Sequence, residues 1–420
     1  MTTDEQKRNW AGNVAYRAER FARPSTLDAL PDLISGSEKV RVVGSRHSFN
    51  DLADTEGVQV SLADVPVDLD ADIEVDAAAG TARLPAWLRY GDIARPLTER
   101  GFALPSLASL PHISVAGAVA TGTHGSGDRL GSLATQVVGI ELIDGRGEPR
   151  VIRRGEPDFD GAVVSLGALG IVTHLTLAVE PAYEVAQTIY RGARWDRVLE
   201  NFDRVTSAGD SVSLFTTWRS TELIDQWWVK SRVGGEQREL PEIGAVPSSV
   251  QLHPIPGIDG DPCTVQLGVP GPWYDRLPHF RLEFTPSAGD EIQTEYLVAR
   301  EDAPQMIASL QNLAGRIAPV LQIAEVRTVA ADELWLSAAS GRDVVAFHFT
   351  WHPDAAAALA VIREIEAVLP DSARAHWGKV YDRSDWLSRY PRADDFRRLR
   401  ASFDPDGRFV NDYLRRLGLD

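Results

Sequence analysis

A single cysteine, Cys263, stands in 420 residues, which excludes an intrachain disulfide and any thiolate metal cluster and fits a reducing compartment. Basic residues are in deficit, 43 against 60 acidic ones, for a formal charge of -17. A field of that sign repels nucleic acid and anionic membranes. No apolar run is long enough to span a bilayer. The polar start Met1–Arg8 has no apolar signal core behind it, so the expectation is a soluble, cytoplasmic chain. Several motifs are missing as well. No G-x-G-x-x-G follows a strand, and there is no Walker A loop, H-E-x-x-H, G-x-S-x-G or spaced His/Cys set. Rossmann, NTPase, hydrolase and zinc chemistry are unsupported, and no metal is expected.

What is present is enough for a full core, with 44% hydrophobic residues, and the length predicts two domains or one large interleaved fold. The stretch Lys39–Asn50 draws the eye first. Val40, Val42 and Val43 make a short β-branched run that stops at Gly44, and the turn Ser45-Arg46-His47-Ser48-Phe49 carries one histidine. A strand, a glycine and a small polar turn present backbone N–H groups and one nucleophile to an anion or cofactor. Taken alone, such a turn is more often a solvated loop than a site.

A second stretch strengthens the first. Residues 104–127 are mostly Ala, Gly, Ser and Thr, a composition that lets backbone approach a flat or diphosphate-bearing ligand closely. The alternative is a tightly packed helix, but each of the glycines Gly117, Gly122, Gly125 and Gly127 costs about 1 kcal/mol in a helix interior.

Elsewhere, periodicity and punctuation predict a capped helix after Arg23-Pro24-Ser25-Thr26 and a hairpin around Gly80. They predict a helix over 90–100 ended by Gly101, a hairpin over 137–152, a short helix over 158–166 and a strand over 171–179. Glu180-Pro181 is the expected domain boundary. Beyond it come a strand (184–190), a helix (195–206), strands (211–218 and 222–230) and helices (303–318 and 354–368). Residues 231–290 read as irregular, without legible chemistry.

Three later strands put polar groups on a face. Gln293 and Glu295 share one; Glu325 and Arg327 share another with Leu321, Ile323 and Val329; His348 and Thr350 lie opposite Val345, Phe347, Phe349 and Trp351. Each pair alone reads as a salt bridge or a wet face. Together they predict one polar pocket on a sheet, because an unpaired buried charge costs several kcal/mol.

Taken together, Arg23–Thr26, Val42–Ser48, Ser114–Gly117 and Thr121-Gly122-Thr123-His124-Gly125 resemble the FAD domain of the vanillyl-alcohol-oxidase-like flavoproteins. His376-Trp377-Gly378-Lys379 and Asp404–Leu414 are similar to the late H-W-x-K and D-P-x-G-x-F-x-N-x-Y-L motifs of its aldonolactone-oxidase branch. The polar strand pairs look most like those of the bacterial alditol (xylitol) oxidases within it. The chain departs at Arg46, where many relatives have glycine.

The resemblance implies an α+β fold, with a two-part FAD-binding domain of the PCMH/vanillyl-alcohol-oxidase type (1–181, with a C-terminal return over 375–420) and an antiparallel-sheet cap (182–374). It implies FAD bonded covalently at His47 and held by Val43, Gly44, Ser45, Arg46, Ser48, Phe49, Ser109, Ser114, Gly117, Thr121, Gly122, Thr123, His124, Gly125, Ile171 and Val172. A polyol would lie between flavin and cap, giving hydride from C1 while O2 is reduced to H2O2. Lys379 and Arg327 would stabilise the alkoxide, Glu325 or His348 would take the proton, and Ser109, Gln293 and Thr350 would read further hydroxyls. Ala108 would leave room for oxygen. A monomer is expected. Two rivals stay open: an aldonolactone oxidase or flavin dehydrogenase on the same fold, and a noncatalytic sugar- or nucleotide-binding protein.

Overall fold

The computed structural model describes residues 7–236, 238–284 and 291–420; most of the polar N-terminal start lies outside them. The first half holds two sheets. Strands Arg20–Ala22, Val58–Val60 and Val40–Val42 form a parallel three-stranded sheet in that order. Strands 74–76, 81–85, 171–178, 137–143 and 149–153 form an antiparallel five-stranded one. The three-stranded sheet closes on a small core of Leu30, Ile34, Val40, Val60 and Phe409.

Phe409 comes from the far end of the chain, and the motif around it explains how that end docks. The Asp404 carboxylate accepts the N–H groups of Arg408 and Phe409, which makes Asp404–Phe409 a tight turn. Asn411 then donates to the carbonyls of Leu52 and Asp54. The Val40 N–H donates to the Arg408 carbonyl at 2.8 Å.

Past Glu180–Pro181, which pairs with Phe102–Ala103, the chain enters a nine-stranded antiparallel sheet. Its main order is 184–191, 226–232, 211–216, 321–329, 344–351, 292–299. The helices Ala303–Ile317 and Ala355–Glu366 bury Met306, Ile307, Leu310, Val361 and Ile362 in one core with Tyr296, Phe347, Phe349 and Trp351 of this sheet. The opposite face is left for polar residues.

Several local expectations are corrected. Thr26 makes no side-chain cap, and the first helix opens as a 3-10 turn, Leu27–Ala29, before Leu30–Ser35. The helix expected over 195–206 breaks at Asn201, whose φ of -124° leaves helical space, into Trp195–Glu200 and Phe202–Thr206. The helix near 158–166 is only Phe159–Ala162. The strand expected from 222 starts at Gln226. Before it, the Ser220 hydroxyl caps the N–H groups of Glu222 and Leu223, and Asp225 binds Thr217. Leu321 does not share the face of Ile323. A bulge between them lets Leu321 pair with Trp351 and Ile323 with Thr350, and one extra residue flips the alternation.

Candidate active site

The sheet register brings the predicted pairs together. Glu295, His348 and Glu325 are lateral neighbours on adjacent strands, and so are Gln293, Thr350 and Ile323. Period-2 alternation sends both rows to the same face, where they border a cavity of about 210 Å³. Its other wall is Ser45–Phe49, Ala108, Ser109, Ser114, Gly117, Thr121, Thr123, His124, His376, Gly378 and Lys379. A second cavity, of about 10 Å³ beside Arg17, Lys39 and Asn411, is too small to compete as a ligand site.

The charges are paired across elements. Arg327 donates to Glu295 at 2.9 Å and to Ser109 Oγ at 3.0 Å, and its Nη1 lies 3.5 Å from Glu325 Oε2. Burial would raise Glu325, but the Arg327 guanidinium and the His279 ring together outweigh it and hold the carboxyl well below the usual range. Glu295 is likewise buried and held down, by Arg327 and then by His124, whose Nε2 is 3.2 Å away. Burial pushes His348 and His376 down to about 3, so both are neutral. Lys379 donates to Gln293, and burial pushes its ammonium down to about 8 against the pull of Glu295.

The turn at 43–49 is bound to this centre. The Phe49 N–H donates to the Gly378 carbonyl at 2.8 Å, and the Asn50 amide donates to the carbonyls of Trp377 and Lys379. On the other side, Ser114 N–H donates to Ser45 Oγ at 3.0 Å. A Cβ on Gly44 would lie 2.2 Å from Ser114 Oγ, so only glycine permits this approach. Arg46 adopts φ +64°. The turn therefore uses the left-handed geometry that glycine takes freely, and arginine is held in it at some strain. His47 lies beside it. Trp10 stacks on its ring, both ring nitrogens are buried without a hydrogen bond, and burial pushes its pKa down to about 3. A neutral imidazole that borders the cavity beside a cradle of small residues, with no hydrogen bond to its ring nitrogens, fits an isoalloxazine.

Most of the predicted residues line this cavity: Val43, Gly44, Ser45, Arg46, His47, Ser48, Phe49, Ala108, Ser109, Ser114, Gly117, Thr121, Thr123, His124, Gln293, Glu325, Arg327, His348, Thr350 and Lys379. Four do not. Ile171 belongs to the small core around Phe409, and Val172 packs on the main core. Gly122 turns the chain at φ +65°, and Gly125 sits where a Cβ would meet the Leu107 carbonyl at 2.4 Å. Leu166 and Gly167 line the wall instead. One pocket residue was seen without its role, and a second was missed. Glu295 was visible as the face partner of Gln293 but carries the central ion pair. His279, in the irregular 231–290 piece, donates or accepts at Glu325 Oε1 over 3.0 Å, and no periodic signal marks it.

A large antiparallel cap sheet laid over a small-residue cofactor cradle defines a two-domain flavoprotein architecture. An FAD binding domain family matches residues 19–153 and the D-arabinono-1,4-lactone oxidase family matches residues 290–417. The chain is 47% identical to the alditol oxidase of a Streptomyces species over 97% of its own length and 98% of that protein. It is 28% identical to the L-gulono-1,4-lactone dehydrogenase of Mycobacterium tuberculosis over 97% and 98% of the two lengths. The fold is also that of a cholesterol oxidase from B. sterolicum, with a TM-score of 0.74 at 15% identity over 98% of this chain and 96% of that one. The chain belongs to the alditol oxidase family of FAD-dependent oxidoreductases. No helix among its described residues is long and apolar enough to cross a membrane.

Proposed function

We propose that this enzyme oxidises the C1 primary alcohol of alditols of the xylitol and sorbitol type to the aldose, with O2 reduced to H2O2 and FAD attached covalently at His47. The observation that carries the reading is the polar row Glu295–His348–Glu325, with the pair Gln293–Thr350 beside it and apolar Ile323 closing that second row, facing the His47 turn. A run of hydroxyls needs a run of donors and acceptors fixed in advance. The working division is 1–181 and 375–420 for the FAD-binding part and 182–374 for the cap.

FAD held there would supply the hydride acceptor and the route for electrons to oxygen. The chain's own residues do the rest. Ser45, Ser48, Ser114, Thr121 and Thr123 offer hydroxyl and backbone partners to the cofactor. Lys379 and Arg327 are the cations placed where negative charge grows on the C1 oxygen. Glu325 is held so far down by Arg327 that it is a poor base and a good acceptor. His348 is neutral and stays more basic than Glu325, and its lateral neighbours Glu295 and Glu325 are the groups that would balance an imidazolium, so of the two His348 is the assigned acceptor of the hydroxyl proton. Gln293, Thr350 and Ser109 read the remaining hydroxyls, and Ala108 keeps the wall open to oxygen.

Acid precipitation of the purified protein tests the attachment, with a yellow pellet expected. A peroxide assay over polyols of increasing chain length tests the reaction. The similarity to a lactone dehydrogenase and to lactone oxidases favours a second reading, in which an aldonolactone is the substrate or another acceptor replaces oxygen. Absence of peroxide under air, with turnover on an artificial acceptor, would select it.

A further inference from the structure

Behind the polar rows, one charged side chain takes no part in the mechanism above. Lys230 lies on the strand Gln226–Arg232, paired with Ser211 of the next strand, and is 1% exposed. It does not border the cavity. Its Nζ has three hydrogen-bond partners: the carbonyls of Leu277 at 2.5 Å and Pro278 at 3.1 Å, and His279 Nδ1 at 3.1 Å. The opposite ring nitrogen, His279 Nε2, is 3.0 Å from Glu325 Oε1. The ring is clamped between the edges of Phe215 and Trp228, and its backbone N–H donates to the Ser109 carbonyl.

An ammonium has three protons and no lone pair. Burial pushes Lys230 down to about 7 against the pull of Glu325; as an ammonium its three protons are fully used by the three acceptors, and His279 Nδ1 is then the unprotonated nitrogen. The ring proton of neutral His279 then sits on Nε2 and points at Glu325. We infer that Lys230 is a positioning residue that acts through His279, fixing the imidazole tautomer so that Nε2–H donates to Glu325 and leaves that carboxylate a fixed, ionised acceptor for a substrate hydroxyl. The alternative arrangement is chemically complete as well: neutral Lys230, His279 protonated at Nδ1 and Glu325 carrying a proton. Arg327 beside Glu325 Oε2 opposes it. The role in substrate binding rests on the proposed polyol site; the tautomer does not.

Two experiments separate these. In the wild-type holoenzyme labelled with 15N-histidine, the His279 signals are assigned by their loss in His279→Asn. Nδ1 should show the shift of an unprotonated nitrogen and Nε2 that of a protonated one; the reverse tautomer overturns the inference whatever the enzyme's substrate. The second experiment is steady-state kinetics on xylitol with the flavin content of each variant matched. Lys230→Met and His279→Asn should each raise KM about tenfold, the scale of a lost hydrogen bond to a charged group, with kcat within about threefold. His279→Gln, whose amide can reach Glu325, should stay near wild type. The Lys230→Met/His279→Asn pair should be no worse than His279→Asn alone, because one residue works through the other. Losses that multiply, or an unchanged KM in Lys230→Met, overturn it. If the wild type turns over no polyol, the functional reading fails while the tautomer result stands.

Discussion

The indole of Trp10 lies flat against the imidazole of His47, with ring centroids 5.1 Å apart and planes 16° from parallel. The segment that carries Trp10 is fastened over the turn by other bonds. Trp10 N–H donates to the Arg46 carbonyl, Asn9 donates to Ser48, and Asn13 donates to Phe49. Aromatic stacking fixes a ring plane, and a covalent bond to a flavin forms only when the attacking nitrogen holds its line. Trp10→Ala should therefore leave FAD bound but lower the fraction attached. The measurement is the ratio of flavin in the acid pellet to flavin in the supernatant. A ratio equal to wild type would remove Trp10 from the attachment step.

Arg46 stands where the resemblance leads one to expect glycine, and it takes φ +64°, the left-handed geometry open to glycine. The backbone keeps the glycine-like conformation, at a cost on the order of 1 kcal/mol for a residue with a Cβ. Arg46→Gly should keep full flavin attachment and change stability by less than about 1 kcal/mol, since relieved strain is offset by the freedom glycine gains when unfolded. Arg46→Val should lose about 1–2 kcal/mol and part of the flavin, because a β-branched residue is worse still in this region. Urea unfolding with flavin counting checks both.

How far the sequence carries this site depends on the kind of signal. Gln293, Glu325, Arg327, His348 and Thr350 were legible because strand alternation is local, and a polar residue at every second position of an apolar strand needs a reason. The cradle at 43–49 and 114–124 was legible through its small residues. His279 was not. It sits on a stretch punctuated by Pro262, Pro270, Pro272 and Pro278, and its meaning comes from Glu325, 46 positions away. Lys230 fell within the strand expected over 222–230, but nothing local shows that it would meet His279, as nothing local shows that Arg327 would meet Glu295. Leu321 was misplaced because a bulge leaves no mark in composition.

Glu295 bears the charge balance of the pocket. It is 1% exposed, accepts from Arg327 and lies beside His124. Replacing it with glutamine keeps the shape but leaves Arg327 with Glu325 as its one carboxylate partner among the described residues. Breaking one partner out of a buried pair costs about 3–5 kcal/mol, and the retained Glu325 puts Glu295→Gln near the low end, about 3 kcal/mol. KM should rise too, since Arg327 no longer has a fixed anchor opposite Ser109. Chemical denaturation reports the first effect and polyol kinetics the second. A variant as stable as wild type would mean that Glu325 alone satisfies the guanidinium.

Lys379 sets the alkaline limit. Burial pushes its ammonium down to about 8, with Glu295 opposing; below that value it is charged, and above it the charge is lost. The cation is needed where the C1 oxygen gains negative charge, so kcat/KM for a polyol should be level through neutral pH and fall about tenfold per pH unit above about 8. His348 and Glu325, both held low, place no acid limb near neutrality. Lys379→Met should keep its flavin and lose at least about 10²–10³ in the rate of flavin reduction, the scale of one electrostatic donor removed from an enclosed site. Lys379→Arg should retain a small activity without this alkaline limb, because a guanidinium stays charged throughout. A limb near pH 8 that survives in Lys379→Arg would assign it to another group.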